Sequence, residues 1–207
     1  MHAIEFLLLF FVGPTLFAFT RHRIPVIPAL WAVVSYCLFV MARDPRFSSR
    51  HLWDPAGFWQ SAPAILGLFA LVASIGVILV RRYAPAIFLN FPRSNPQFWS
   101  IVMLLYPMLS AYPQGIVYRA FLFGRYRDLF GPGWAIVLAS ATAFAYVHIV
   151  FRNSLALALT FLAGILFAIR YLHTGSLMIS SFEHALYGCA IFTIGLGRWF
   201  YHAAVPR

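Results

Sequence analysis

Apolar runs close to membrane-spanning length repeat along almost the whole chain, separated by short breaks rich in arginine, proline and glycine. A helix that crosses a bilayer needs about 20 mainly apolar residues. About seven stretches approach that length: Ala3 to Thr20, Ile24 to Met41, Ser61 to Val80, Phe98 to Ala111, Trp134 to Val150, Ser154 to Leu172 and Ser176 to Phe200. An eighth segment, Pro113 to Leu129, mixes apolar and polar positions and predicts an amphipathic helix that dips into the bilayer or lies along it. Pro113 suits the first turn of that helix, where its missing N–H would be unpaired anyway. The pattern as a whole predicts an all-α fold, a polytopic, multi-pass membrane bundle of about seven to eight helices.

No break is long enough to fold by itself, the longest being roughly residues 42–60, so residues 1–207 are expected to form a single membrane domain. Any chemistry must then sit among the helices. The first stretch has no basic lead-in, carries Glu5 and contains Pro14, so it is expected to be a retained helix and not a cleaved signal. Prolines and glycines gather where helices should end, at Pro55, Pro85, Pro92, Pro96 and the run Gly131-Pro132-Gly133.

Composition agrees with lipid as the solvent, since 62% of residues are hydrophobic and 10% charged, against about 45–50% and 25% in soluble domains. The net charge of +10 comes from arginine alone, because the chain has no lysine. A nucleic-acid partner would need those charges on one polar face, whereas they are scattered between apolar runs. They read instead as juxtamembrane anchors for headgroups. If the helices alternate, Arg21, Arg23, Arg81, Arg82, Arg93, Arg152, Arg198 and Arg207 fall on one side, and Arg43, Arg46, Arg50, Arg125, Arg127 and Arg170 on the other. That near-balance does not set orientation. Cys37 and Cys189 lie within apolar helices and are expected to act as small hydrophobes, with no disulfide or metal role.

Against this background a few polar side chains stand out, because an ionisable group inside a membrane is costly and tends to mark function. Glu183 and His184 are adjacent, about eight residues inside the last apolar run. Neighbouring positions on a helix point about 100° apart, so the two cannot serve one point and are expected to have separate partners. Arg119 has no acidic residue one turn earlier, where Gly115 stands, and Glu183 is the one carboxylate deep in a span. An Arg119–Glu183 ion pair is therefore expected, as it would remove two unpaired charges at once. Gln114 shares a helix face with Tyr118, and His148 closes its helix just before Arg152 and Asn153.

The segments Gln114 to Arg119, Phe144 to His148 and the region of His184, in that order, resemble the CAAX prenyl protease and bacteriocin-processing (CPBP, or Abi) family of intramembrane proteases. The resemblance covers about residues 98–200. The family signature reads EExxxR, FxxxH and then HxxxN or a similar polar ending. Arg119 matches the arginine, Phe144 and His148 the second motif, and His184 the last histidine; residues 161–177 also look like the family segment leading to it. Three positions depart from the pattern: Gln114 and Gly115 replace the two glutamates, and Gly188 replaces the final asparagine.

In the family, a glutamate and the first histidine are thought to activate water, and the last histidine and the asparagine to stabilise the oxyanion. Glutamine cannot be a base. Carried onto this chain, the resemblance implies that Gln114 orients water, His148 takes its proton, His184 donates to the oxyanion, and Glu183 balances Arg119 or sets a histidine tautomer. Tyr187, Tyr118 and Tyr146 are the hydroxyls that could stand in for the asparagine. A zinc reading has at most His148, His184 and Glu183 as ligands and no HExxH pair, so zinc stays open as the weaker reading and no cofactor is assigned. Function is expected to be endopeptidase action on a membrane-presented peptide or protein, in a water-accessible cavity joining Gln114, His148 and His184. The alternative is a pseudoprotease that binds a membrane partner without cutting; a proton relay or transporter ranks third, for want of internal repeats.

Overall fold

The computed structural model describes residues 2–20, 23–48 and 52–199. Among these the fold is all helix, with nine helices: α1 His2–Thr20, α2 Val26–Ala42, α3 Pro55–Tyr83, α4 Asn90–Ser94, α5 Pro96–Arg125, α6 Arg127–Phe130, α7 Trp134–Phe151, α8 Ser154–Thr174 and α9 Leu177–Ile194. Six of them, α1, α3, α5, α7, α8 and α9, are long and apolar enough to cross a membrane, and α2 is a shorter apolar helix of 17 residues. The chain is an integral membrane protein built as a helical bundle. The anchors Arg21, Arg50 and Arg207 and the end of the last run at Phe200 lie outside the described residues.

Helix boundaries follow the local chemistry. Asp54 caps α3 by accepting from the Gly57 N–H at 3.0 Å, Asn95 caps α5 through the Phe98 N–H, and Asn153 caps α8 through the Ala156 N–H. The first of these caps starts α3 six residues earlier than the apolar pattern alone predicts. Helix α9 stops at Gly195, whose φ of 102° belongs to the left-handed region. A side chain there would run into the Ile87 carbonyl, so the residue that ends the helix also admits the 85–90 segment against it.

The main departure from the sequence reading lies in α5. Phe98–Ala111 and Pro113–Leu129 are not two helices but one, running through Pro107 and Pro113 to Arg125 and followed by the single turn α6. Prolines are absorbed because the helix widens to π geometry at Pro107–Ala111 and Ile116–Phe121. Widening leaves carbonyls to be satisfied from outside the helix. Trp31 Nε1 donates to the Leu109 carbonyl at 3.3 Å, and Ser140 Oγ to the Tyr118 carbonyl at 2.7 Å. Nor is this stretch amphipathic: every residue from Gly115 to Leu122 is buried, because α2, α7 and α9 surround it. Its polar groups therefore point into the bundle.

Packing relies on close approach and on rings, since lipid gives no hydrophobic drive between helices. Gly164 of α8 lies so close to α7 that a Cβ there would be 3.0 Å from the Ala141 Cα. Phe6, Phe10 and Tyr126 interlock α1 with the end of α5, and Thr15 shares a 2.8 Å hydrogen bond with the Tyr146 hydroxyl. Helices α5 and α9 run antiparallel, paired by Trp99 with Thr193, Tyr106 with His184 and Gly115 with Ser181. Against α9, α3 runs parallel, with Phe58 on Phe182 and Gly76 near Ile194.

Candidate functional site

Helix α5 brings Tyr106, Gln114 and Arg119 toward α7 and α9, and the meeting point is the ring of Phe144. Arg119 lies with its guanidinium carbon 4.7 Å from the Phe144 centroid and 5.0 Å from that of Phe167. His184 packs edge-on to Phe144 at 5.3 Å and stacks on Phe167 at 4.8 Å. His148 sits 4.9 Å from the Phe144 centroid, and its Nδ1 is 2.6 Å from the Phe144 carbonyl, one turn back on its own helix. Thus Arg119, His148 and His184, which come from three helices, share one aromatic hub.

The other two expected site residues turn elsewhere. Gln114 Nε2 donates to Ser110 Oγ at 2.7 Å, while its Oε1 is buried with no hydrogen-bond partner. Glu183 is fully buried and grips Arg170 with both oxygens, Nε to Oε2 at 2.9 Å and Nη2 to Oε1 at 3.2 Å. The expected Arg119–Glu183 ion pair is therefore corrected: the arginine that neutralises Glu183 is Arg170, a residue the sequence placed at the membrane surface. Helix geometry explains the exchange. Glu183 and His184 point about 100° apart, so once His184 faces α5 and α7, Glu183 faces α8. Arg170, four residues from the end of α8, is only 20% exposed at its side chain.

Arg119 is left with none of its three guanidinium nitrogens hydrogen-bonded, although it is fully buried. Its charge is held by the faces of Phe144 and Phe167, and a desolvated cation–π contact is worth about 2 kcal/mol. The turn before it cannot supply a carboxylate, because the space at Gly115 is taken. A Cβ there would collide with Ser181 Oγ and lie 2.8 Å from Leu177 Cδ1.

Gly188 shows the same logic with another result. A Cβ at this position would land on the ring and hydroxyl of Tyr106. The room given up by the missing side chain admits Tyr106, whose hydroxyl sits 3.1 Å from His184 Nε2. The hydroxyl beside the last histidine thus comes from α5, and none of Tyr187, Tyr118 or Tyr146 fills that place. Tyr187 packs on Phe69 and Phe167, and Tyr146 bonds Thr15. Sequence reasoning missed Tyr106, and the one signal was a glycine where a polar side chain belongs to the motif.

Among the described residues one cavity of about 360 Å³ and another of about 320 Å³ are formed. The first is lined by His2, Ala3, Asp128 and Leu129, the second by residues that include Arg46, Phe123, Arg125 and Tyr171. Neither is the expected cavity joining Gln114, His148 and His184. Among the described residues no three His, Cys, Asp or Glu side chains gather in a metal-binding group. With Glu183 committed to Arg170, the residues present do not fit a zinc ion, and no chemical step here is routed through one.

Comparison with known families gives one match. Residues 96–190 match the family described as type II CAAX prenyl endopeptidase Rce1-like. That stretch starts with the first residue of α5 and ends within α9, so it contains every side chain around Phe144. The resemblance to CAAX proteases therefore holds over it, while α1 to α4 lie outside. No curated protein and no solved structure matches the chain.

Proposed function

We propose that this chain, which matches the type II CAAX prenyl endopeptidase Rce1-like family over residues 96–190, is a multi-pass intramembrane endopeptidase that hydrolyses a membrane-presented peptide with water activated by His148. The observation that carries this reading is the 2.6 Å contact between His148 Nδ1 and the Phe144 carbonyl. A carbonyl only accepts, so the proton belongs on Nδ1 and the lone pair on Nε2. An imidazole held in that tautomer is a proton acceptor at fixed orientation, which is what a general base requires.

The steps follow from the residues around the hub. The unpartnered Oε1 of Gln114 accepts a hydrogen from water and orients it. His148 Nε2 takes a proton as the water oxygen bonds to the scissile carbonyl carbon. His184, held by Tyr106, faces the oxyanion, and His148 returns the proton to the leaving amine as the C–N bond breaks. A base contributes about 10²–10⁴ in rate, and here a histidine carries that role without a carboxylate beside it in the first motif. Turnover is accordingly expected to be slow.

The test is cleavage in proteoliposomes, with a prenylated CAAX peptide and an unprenylated peptide library as substrates and products read by mass spectrometry. His148→Ala is expected to lower the rate by about 10²-fold or more. Full activity in both His148→Ala and His184→Ala would remove the proposed site. A second reading, a pseudoprotease that binds a partner without cutting, is favoured by the filled space at Gly115 and by the commitment of Glu183 to Arg170. Stable binding of the peptide with no product, persisting in Gln114→Glu, would select it.

A further inference from the structure

The direction of the helices separates the charges of this chain into two unlike ends. Contacts of Glu5 with Arg125, of Trp31 with Leu109 and of Phe58 with Phe182 fix which ends lie together. One end holds the start of α1, residues 43–48 and 52–54, α6 and the 131–133 turn, and Gly175 with Ser176. The opposite end holds residues 23–25, residues 84–95 with α4, Arg152 and Asn153, and the 195–199 turn.

All five Asp and Glu side chains belong to the first end or lie on the half of their helix nearer it. Glu5, Asp44, Asp54 and Asp128 are there, and Glu183 is six residues into α9 from it. Of the described arginines toward that end, Arg46, Arg125 and Arg170 close onto these acids, while Arg43 lies over the Phe39 ring and Arg127 has no carboxylate partner. Arg46 bonds Asp44 and Asp128, and Arg125 bonds Glu5. At the opposite end Arg23, Arg81, Arg82, Arg93, Arg152 and Arg198 are all exposed, and among the described residues none of them is paired with a carboxylate. Arg81 lies over the Phe88 ring at 5.1 Å and Arg93 reaches the Phe88 carbonyl at 3.5 Å, so the 84–95 segment displays them around an aromatic anchor. A count of arginines alone hides this, because it weighs paired and unpaired charges alike.

We propose that the carboxylate-free end of the bundle is the surface that meets an anionic phospholipid leaflet, the cytoplasmic one, and that its arginines fix the orientation of the protein. An anionic surface attracts exposed arginines within a Debye length of it, and an arginine closed onto a carboxylate has most of its field cancelled at that distance. The carboxylate end then faces away from the cytoplasm.

Cysteine accessibility in spheroplasts of a bacterial host tests the proposal without any activity measurement. In a Cys37→Ala, Cys189→Ala background, single reporters Ser94→Cys, exposed at the arginine end, and Pro132→Cys, exposed at the carboxylate end, are treated with a membrane-impermeant maleimide. Pro132→Cys is expected to label in intact spheroplasts and Ser94→Cys only after lysis. The reverse pattern, or equal labelling of both, overturns the proposal. Changing Arg81, Arg82, Arg93 and Arg152 together to Gln is expected to raise Ser94→Cys labelling in intact spheroplasts several-fold. A folded quadruple variant, monodisperse on size exclusion, that keeps Ser94→Cys fully protected would show that the arginines do not set orientation.

Discussion

His184 has one polar neighbour that no motif announces, and its place depends on an absent side chain. Tyr106 can reach Nε2 because position 188 is glycine. Gly188→Asn alone should then fail to give folded protein, since its Cβ would occupy the Tyr106 ring. Combined with Tyr106→Ala, which vacates that space, the asparagine should be accepted, and the pair should show a coupling of at least about 1 kcal/mol in a double-mutant cycle of thermal stability. Additive losses would mean that the two positions do not share one volume. Glu183 allows a sharper test of partner choice. Glu183→Gln leaves Arg170 without its counter-charge and should cost about 3–5 kcal/mol, the usual penalty for breaking a buried pair from one side. The exchange Glu183→Arg with Arg170→Glu should recover part of that loss, and the exchange of Glu183 with Arg119 should recover none. Recovery by the Arg119 exchange alone would restore the pairing expected from sequence and discard the observed one.

At the scale of elements, what could be read in advance was the apolar run, and what could not was the way runs join and meet. The stretches on either side of Tyr112 are separately legible, but Pro113 reads as a helix start from local chemistry alone. Only the partners Trp31 and Ser140, distant in sequence, reveal why the helix continues in π form. The histidine positions were legible for the same reason that the partner of Glu183 was misread. Periodicity gives the face on which a residue sits, but the neighbour across that face is set by the packing of α8 and α9. That packing is tight at one place. Gly164→Val should drive side-chain atoms into the Ala141 backbone and Phe144, lowering stability by about 1–3 kcal/mol. An unchanged melting temperature would mean that α7 and α8 do not approach so closely. The 43–48 connection offers a test by pH. Hydrogen bonds from the Arg46 side chain and backbone pull the Asp44 carboxyl down to about 2 from its ordinary 3.8. A group lowered in the folded state contributes above its unfolded value and loses that contribution as pH falls through the folded one. Titration of Asp44 by carboxylate NMR should therefore have its midpoint near 2, and Arg46→Gln should return it toward the ordinary range. A midpoint near 4 in the unaltered protein would remove the clasp.

For the molecule as a whole, the family match begins at the start of α5, yet the structure ties α1, α2 and the connection after it to the matched stretch by polar contacts, and α3 to it by rings. Glu5 closes on Arg125, Thr15 on Tyr146, Trp31 on the Leu109 carbonyl, and the Leu52 carbonyl accepts from the Tyr112 hydroxyl. Inside a bilayer the loss of apolar neighbours can be made good by lipid tails, whereas the loss of polar partners cannot. Interhelical hydrogen bonds in membranes average about 0.6 kcal/mol each, so four of them removed together are a substantial part of a marginal stability. Residues 1–207 are therefore expected to behave as one folding unit. Expressed alone, residues 96–207 should aggregate or run polydisperse on size exclusion. Co-expression with residues 1–90 should restore a single species, because the cut falls in the surface segment between α3 and α5 and breaks none of the four contacts. A fragment of residues 96–207 that is monodisperse alone, with the melting temperature of the whole chain, would show that the first three helices are an accessory. In that case the arrangement of Arg119, His148 and His184 around Phe144 would depend on α5, α7, α8 and α9 alone.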